Sequence, residues 1–241
     1  MKLVHIFVVF HKKIFDECYK ELTQEELDSY FTFVAVNPTI QKEYNTSKYN
    51  IIREWELPVY DPGLQEKGYR ENSVLYHAWA NKLHEPYDYI GFFQYDMVFQ
   101  RDTLKNVISE ISKANDLIYF PLQTYTFKYI YETMGYEHNT VKFIIEDYTK
   151  YFNQEFSYKA DYPLWNTFIL PKEFYSDKMM PWIYQLYEKT WPWCNQAPNQ
   201  THFTHVAGVY ERVSAMIVGE ACMRPVLLNI EHDHKYKALS Y

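Results

Sequence analysis

Cysteine is scarce in this chain, which has 3 cysteines in 241 residues. Cys18, Cys194 and Cys222 are an odd number, and no two of them have the CxxC spacing. This pattern argues against a disulfide framework and against a cysteine zinc site. Free thiols of this kind are typical of a protein that works in a reducing compartment.

Long apolar runs and flexible linkers are also missing. No stretch approaches the ~20 apolar residues that a membrane-spanning helix requires. The apolar residues 1–10 lack a small-residue cleavage site, so they are more typical of a first β-strand than of a signal peptide. Because there is no Gly/Ser-rich linker, charge block or internal repeat, we expect residues 1–241 to form one domain.

The chain lacks an excess of positive charge. It has 24 Lys and Arg against 31 Asp and Glu, a formal net charge of −7, and a pI of about 5.7. This balance argues against a nucleic-acid groove and against a broadly basic membrane-binding face.

Aromatic residues, by contrast, are abundant. They make up 20% of the chain, which includes 25 tyrosines. Two interpretations stay open: the rings pack in the core, or some of them form a surface that stacks on sugars and donates hydrogen bonds.

Apolar segments with strand character alternate with segments of helical periodicity. The predicted strands are residues 2–10, 31–36, 89–93, 116–121, 164–170 and 225–230, with a possible short strand within 51–60. The predicted helices are residues 13–21, 71–83, 103–114, 140–152, 171–190 and 208–218, and Trp191-Pro192-Trp193 is expected to end the fifth. Such alternation predicts an α/β fold with a mainly parallel or mixed sheet flanked by helices.

Asp96 directly follows the most apolar predicted strand, Tyr89-Ile90-Gly91-Phe92-Phe93. Open α/β sheets bind ligands at the carboxyl ends of their strands, so this position favours a ligand-binding role. A carboxylate there suits a divalent cation held against a nucleotide diphosphate. The alternative is that Asp96 caps the turn that follows, as Asp often does.

Four sequence blocks resemble a known family. Residues 71–81 have the form ExSxLYxxWxN, residues 91–99 read GFFQYDMVF, residues 165–174 read WNTFILPKEF, and residues 207–213 read AGVYERV. They resemble the ExTxLYxxWxN helix, GxxHYRRxF loop, NMFIMKKEIF strand-helix and FGYxxERL helix of a GT-A glycosyltransferase family found in bacterial capsule and lipopolysaccharide gene clusters. Viral sugar-transfer enzymes have a similar composition.

One departure from the family pattern concerns the metal. The family's HYRR carries no metal ligand, whereas this chain has QYDM, with Asp96 at the first arginine's position. QYDM is closer to the DxD motif of metal-dependent GT-A enzymes, with Gln94 in place of the first acid. The resemblance therefore implies Mn²⁺ or Mg²⁺, bound weakly until the donor diphosphate adds its own oxygens.

The resemblance also implies which residues form the site. Those implied for donor binding are Phe10, His11, Lys12, Val36, Asn37, Arg70, Gln94, Tyr95, Trp165 and Asn166. Those implied for the metal are Asp96, His232 and His234, and those implied for catalysis are Glu211, as general base, and Asp161, as a second candidate. Alternatives stay open: an exposed histidine tail, a structural Glu211–Arg212 pair, and core packing of Trp165 and Asn166.

The implied function is transfer of a hexosyl or pentosyl group from a nucleotide-sugar, UDP-linked by resemblance, to a glycan, glycolipid or glycoprotein hydroxyl. We expect inverting, metal-assisted chemistry on a single GT-A domain, with a nucleotide-sugar half at about residues 1–120 and an acceptor half at about residues 121–241. The expected location is cytoplasmic, including the membrane periphery or the cytoplasm of a virus-infected host. The alternative is a non-catalytic protein that binds nucleotide-sugars or carbohydrates on the same scaffold.

Overall fold

A computed structural model describes the chain in nine stretches: residues 3–38, 47–113, 117–121, 124–133, 138–158, 161–163, 165–194, 206–221 and 223–232. Within them, seven strands form one mixed sheet in the order β3-β2-β1-β4-β7-β6-β8. β7 runs antiparallel to both of its neighbours, and the other neighbouring pairs are parallel. A two-stranded ribbon, β5-β9, lies outside this sheet.

The strands are short and largely apolar. Their bounds are β1 (Val4–Phe10), β2 (Phe31–Ala35), β3 (Ile51–Arg53), β4 (Tyr89–Gln94), β5 (Met97–Val98), β6 (Leu117–Pro121), β7 (Phe168–Pro171), β8 (Arg224–Leu228) and β9 (Glu231–His232). Every residue of β1 is buried, as expected for a strand covered on both faces.

Helices cover both faces of the sheet. Their bounds are α1 (Gln24–Tyr30), α2 (Pro62–Glu66), α3 (Asn72–Ala80), α4 (Arg101–Ile111), α5 (Phe127–Thr133), α6 (His138–Phe152), α7 (Lys172–Phe174), α8 (Met180–Cys194) and α9 (Val206–Gly219). Alternate residues of β1 belong to different cores: Phe7 and Val9 pack with α3, α8 and α9, whereas Ile6 and Val8 pack with α1 and α4. The predicted α/β architecture is confirmed.

The predicted helix at residues 13–21 is wrong. The structure has only a 3-10 turn, Asp16–Tyr19, in this segment. The helix begins later, at Gln24, because Thr23 and Glu26 form a capping box that fixes its start. The periodicity of Ile14 and Cys18 arises instead from side chains that turn inward onto the sheet.

The second half of the chain differs from the prediction in two further places. The strand expected at 164–170 begins only at Phe168, because Trp165 and Asn166 have left-handed backbones with φ of +62° and +47°. The helix that follows β7 contains a π turn, Tyr175–Met179, and continues to Cys194. Pro192 removes one hydrogen bond to the preceding turn, and α8 ends two residues after it.

None of the helices in the described stretches is long and apolar enough to cross a lipid bilayer.

A close contact at the end of α9 fixes the segment that leads to Trp165. A Cβ added at Gly219 would lie 2.6 Å from Cδ1 of Tyr162 and 3.1 Å from the carbonyl oxygen of Asp161. We expect Gly219→Ala to lower the free energy of unfolding by about 1–3 kcal/mol, as overpacked cores do. Urea unfolding measures this, with Ser109→Ala on the exposed face of α4 as the control. Equal stability of Gly219→Ala and wild type would contradict the packing.

Candidate functional site

Asp96 and His232 meet just beyond the carboxyl end of β4. Asp96 lies in the turn between β4 and β5, and β5 pairs with β9 so that Met97 is opposite His232. Nε2 of His232 donates a hydrogen bond to Oδ2 of Asp96 at 2.7 Å. Two residues implied as metal ligands by the resemblance are therefore neighbours in the structure.

Asp96 is buried in this position, with a relative exposure of 1%. Its second oxygen, Oδ1, has no hydrogen-bond partner among the described residues. A buried carboxylate oxygen without a partner is costly unless a ligand binds it. The Trp165 ring covers His232 on its other side, with ring centroids 4.8 Å apart.

The chemistry of this pair fits a divalent cation. A carboxylate oxygen and an imidazole nitrogen are both ligands of Mn²⁺ in proteins. Asp96 offers Oδ1, whereas Nε2 of His232 is engaged with Oδ2 and either orients the carboxylate or exchanges this bond for the ion. No group of three or more His, Cys, Asp or Glu side chains gathers for a metal within the described stretches. Protein ligands alone would therefore hold the ion weakly, and phosphate oxygens would complete its coordination.

A second charged pair lies at the end of β1. Nε2 of His11 donates to Oε1 of Glu71 at 2.7 Å, and the His11 ring meets Tyr95 edge-on. Burial lowers the pKa of His11, but the charge and hydrogen bond of Glu71 raise it more, with a smaller contribution from Asp96, so the net pKa is raised. Burial acts to raise the pKa of Glu71, yet His11 outweighs it and holds that pKa at about 2.

Glu211 borders the same cluster from α9. Burial raises the pKa of its carboxyl and Glu71 adds to the rise, whereas Arg212, the backbone N–H of Trp165 and His232 act to lower it. The net pKa of Glu211 is raised. The guanidinium of Arg212 turns into the core, where it donates to the Gly208 carbonyl at 2.8 Å.

The turn that carries Trp165 and Asn166 joins these groups. Asn166 is buried, and its Nδ2 donates to Oδ1 of Asn72 at the start of α3 at 3.1 Å. Asn72 in turn donates to the carbonyl of Ala207 in α9 at 3.1 Å. Because Trp165 also contacts both His232 and Glu211, this left-handed turn links α3, α9 and β9.

Arg70 precedes α3 with a left-handed backbone, φ +51°. Its carbonyl oxygen accepts from the N–H of Ser73 at 3.0 Å and from Nε2 of Gln65 at 3.3 Å. Glu54, which is 1% exposed, accepts from the Ser73 hydroxyl and from Nδ1 of His77. This buried network fixes the turn that brings the exposed Arg70 side chain to the cluster.

Other residues implied for donor binding lie along the same sheet edge. Phe10 and Val36 are buried, and the N–H of Val36 donates to the Phe10 carbonyl at 3.2 Å, which joins the ends of β1 and β2. Lys12 is exposed, whereas Asn37 and Gln94 are half-buried.

Asp161, the second candidate for catalysis, is not brought into the cluster. Asp161 is exposed near Thr124, whose hydroxyl lies 3.4 Å from its carboxylate, and no contact within the described stretches joins it to Asp96 or Glu211. His234 lies outside the described residues.

Sequence reasoning missed Glu71 and Asn72 as site residues. Glu71 is the first letter of the ExSxLYxxWxN block, so the motif itself contained this signal. No local signal marks Asn72, since its role depends on contacts with Asn166 and Ala207 that are distant in sequence.

The likeness of this chain to known proteins is found in its fold and not in its sequence. No model of a protein family matches the chain, and no curated protein matches it in sequence. Its mixed α/β sheet with flanking helices is the GT-A fold of glycosyltransferases, as the likeness to solved structures shows.

The solved structures that match the chain include the following three. The bifunctional glycosyltransferase WbbM matches with a TM-score of 0.57 and 13% identity over 95% of this chain and 45% of that one, so this chain spans less than half of its length. The mannosyltransferase Ktr4p of S. cerevisiae has a TM-score of 0.42 and 12% identity, over 95% of this chain and 70% of that one. Core-mannan synthase A of Aspergillus fumigatus, in a Mn/GDP form, has a TM-score of 0.42 and 9% identity, over 95% of this chain and 75% of that one.

The left-handed backbone at Asn166 generates a stability prediction. Asn166→Gly and Asn166→Ala both lose the hydrogen bond to Asn72, but only alanine adds a Cβ in the left-handed conformation. We expect the glycine variant to be more stable than the alanine variant by about 1 kcal/mol. Chemical unfolding of both proteins checks this. An alanine variant as stable as the glycine variant would show that the turn does not hold this conformation.

Proposed function

We propose that this chain transfers a sugar from a nucleotide-sugar to a hydroxyl group of a glycan, glycolipid or glycoprotein. The observation that supports this most is the meeting of Asp96 and His232 beyond β4, on a GT-A fold. Ligands of open α/β sheets bind at this edge. The resemblance of the sequence blocks adds that the donor is UDP-linked.

The donor would lie across the ends of β1, β2 and β4. The ends of β1 and β2 at Phe10 and Val36 and the side chain of Asn37 suit the base and ribose. Arg70 and Lys12 bring positive charge toward the diphosphate, and the half-buried Gln94 faces the sugar or the ribose.

Asp96 and His232 would hold a divalent cation, Mn²⁺ or Mg²⁺, which when bound neutralises the charge of the departing diphosphate. Oδ1 of Asp96 is the oxygen that lacks a partner within the described stretches. Trp165 keeps the His232 ring in place through the contact between their two rings.

Glu211 would act as the general base. In inverting transfer, a carboxylate takes the proton of the acceptor hydroxyl as that oxygen attacks the anomeric carbon. The raised pKa of Glu211 makes it a better proton acceptor than an exposed glutamate. The N–H of Trp165 orients its carboxylate.

A non-catalytic nucleotide-sugar-binding protein is the second candidate. The observation that favours it is Gln94, which stands where metal-dependent relatives have a first acid. Turnover separates the two candidates, because both bind the donor and only the enzyme releases the nucleoside diphosphate.

The test is a thermal-shift panel of UDP- and GDP-linked sugars with and without Mn²⁺, followed by measurement of nucleoside diphosphate release. Ligands that bind the native state raise the melting temperature. We expect at least one nucleotide-sugar to do so, more strongly with Mn²⁺, and to be slowly cleaved. A panel in which no nucleotide-sugar raises the melting temperature would contradict the proposal.

Asp96→Ala is expected to abolish Mn²⁺-dependent nucleotide binding, and His232→Ala to weaken Mn²⁺ affinity about 10- to 100-fold, the usual effect of disturbing a metal site. Isothermal titration calorimetry with Mn²⁺ and nucleotide measures both. Asp102→Ala, exposed at the start of α4, is the control. Full Mn²⁺-stimulated binding by Asp96→Ala would exclude this metal site.

Glu211→Gln is expected to lower kcat about 10²- to 10⁴-fold with donor affinity nearly unchanged, because the amide cannot accept a proton at neutral pH. In the wild type, kcat should fall as the pH drops through the raised pKa of Glu211, where the base becomes protonated. Steady-state kinetics against pH measures both effects.

The control is Glu188→Gln, on the exposed surface of α8. If Glu211→Gln keeps wild-type turnover within about threefold, Glu211 is not the base, and Asp161→Asn becomes the variant to compare. If Glu211 and Arg212 form only a structural pair, the Glu211→Gln variant would instead lose thermal stability with little change in kcat.

A further inference from the structure

His11 lies at the same level of the sheet edge as Asp96. The parallel register of β1 and β4 pairs Val9 with Gln94, so His11 and Asp96 each follow two residues further along neighbouring strands. The His11 ring meets Tyr95 edge-on with centroids 5.8 Å apart. His11 therefore borders the place proposed for the donor diphosphate.

Glu71 engages one nitrogen of this histidine. The 2.7 Å contact joins Nε2 of His11 to Oε1 of Glu71, and the two side chains are only 25% and 18% exposed. Nδ1 of His11 has no hydrogen-bond partner in the stretches that the structure describes. A doubly protonated His11 therefore keeps one N–H on Glu71 and has the other available for a ligand.

Three charged groups act on His11: Glu71 and Arg70, which precede α3, and Asp96 in the turn after β4. Burial and Arg70 lower the pKa of His11, whereas Glu71 and Asp96 raise it. The net pKa of His11 is raised. Glu71 itself stays ionised, with its pKa at about 2. The pair therefore favours imidazolium and carboxylate more strongly than a free histidine and a free glutamate do.

We propose that Glu71 is a positioning residue that keeps His11 doubly protonated, so that Nδ1–H of His11 donates a charge-assisted hydrogen bond to a diphosphate oxygen of the donor. This role rests on the proposed function, because it names the group that meets the leaving diphosphate. Charge-assisted hydrogen bonds are roughly twice as strong as neutral ones. Such a bond is valuable at a site whose QYDM segment has a single acid to hold a cation.

NMR titration of the histidine ring signals tests the ion pair without any ligand. His11→Asn identifies the His11 signal among those of the 9 histidines. We expect the wild-type pKa of His11 to lie above the ordinary value of 6.5, and to be lower by about one unit or more in Glu71→Gln. The control is Glu85→Gln, which removes an exposed partner of Lys82. We expect this variant to leave the pKa of His11 unchanged.

A wild-type pKa of His11 at or below 6.5 would overturn the proposal. If the Glu71→Gln variant folds and the pKa of His11 in it is the same as in the wild type, the proposal is overturned as well. Glu71→Asp keeps the charge, so we expect it to restore part of the shift that Glu71→Gln loses.

Calorimetry with UDP-glucose and GDP-mannose, in EDTA, tests the contact with the diphosphate. Because the diphosphate of these molecules does not titrate near neutral pH, a change in affinity reports on the protein. We expect wild-type affinity for the tighter probe to fall about tenfold or more between about pH 6 and about pH 9. His11→Asn should bind weakly at both pH values.

A wild-type affinity that does not change with pH, or that His11→Asn retains, would overturn the diphosphate contact while leaving the proposed function intact. Absence of binding by both nucleotide-sugars, with and without Mn²⁺, would count against the proposed function and the diphosphate contact together. The NMR result separates these failures, since it judges the Glu71–His11 pair alone.

Discussion

The pairing of β5 with β9 is the constraint on which the candidate site depends. It joins Asp96 to His232, which are 136 residues apart in sequence, through a 2.7 Å hydrogen bond. The pairing is only two residues long on each strand. Its position is nevertheless well defined, because Met97 and Ile230 on either side are buried in the core beneath the sheet. Without it, Asp96 would be a lone carboxylate at the end of a strand.

Among the described residues of the site, the buried Asp96 and the partly exposed Glu71 and Glu211 each have a partner. Glu71 has His11, Asp96 has His232, and Glu211 has the N–H of Trp165. Burying a charge is costly unless it is paired and hydrogen-bonded. The site thus keeps three carboxylates close together at one sheet edge, and each partner is a group that also suits the proposed donor chemistry.

The sequence predicts the apolar parts of this fold well. The strands at 4–10, 31–35 and 89–94 are largely apolar, and Asp96 lies two residues after the end of the third. The misses have local causes: the capping box at Thr23 delays α1, and the left-handed turn at Trp165 and Asn166 delays β7. Neither the contact of Asn166 with Asn72 nor that of Glu71 with His11 could be read from the sequence, because both join segments far apart in the chain.

The proposed function requires a cation and a nucleotide diphosphate to bind together at Asp96. A crystal structure of the protein with Mn²⁺ and a bound nucleotide-sugar, phased or checked with the anomalous signal of manganese, tests this most directly. We expect one manganese peak bonded to Oδ1 of Asp96 and to the diphosphate, next to His232. A nucleotide bound elsewhere, or a manganese peak away from Asp96 with the nucleotide present, would contradict it.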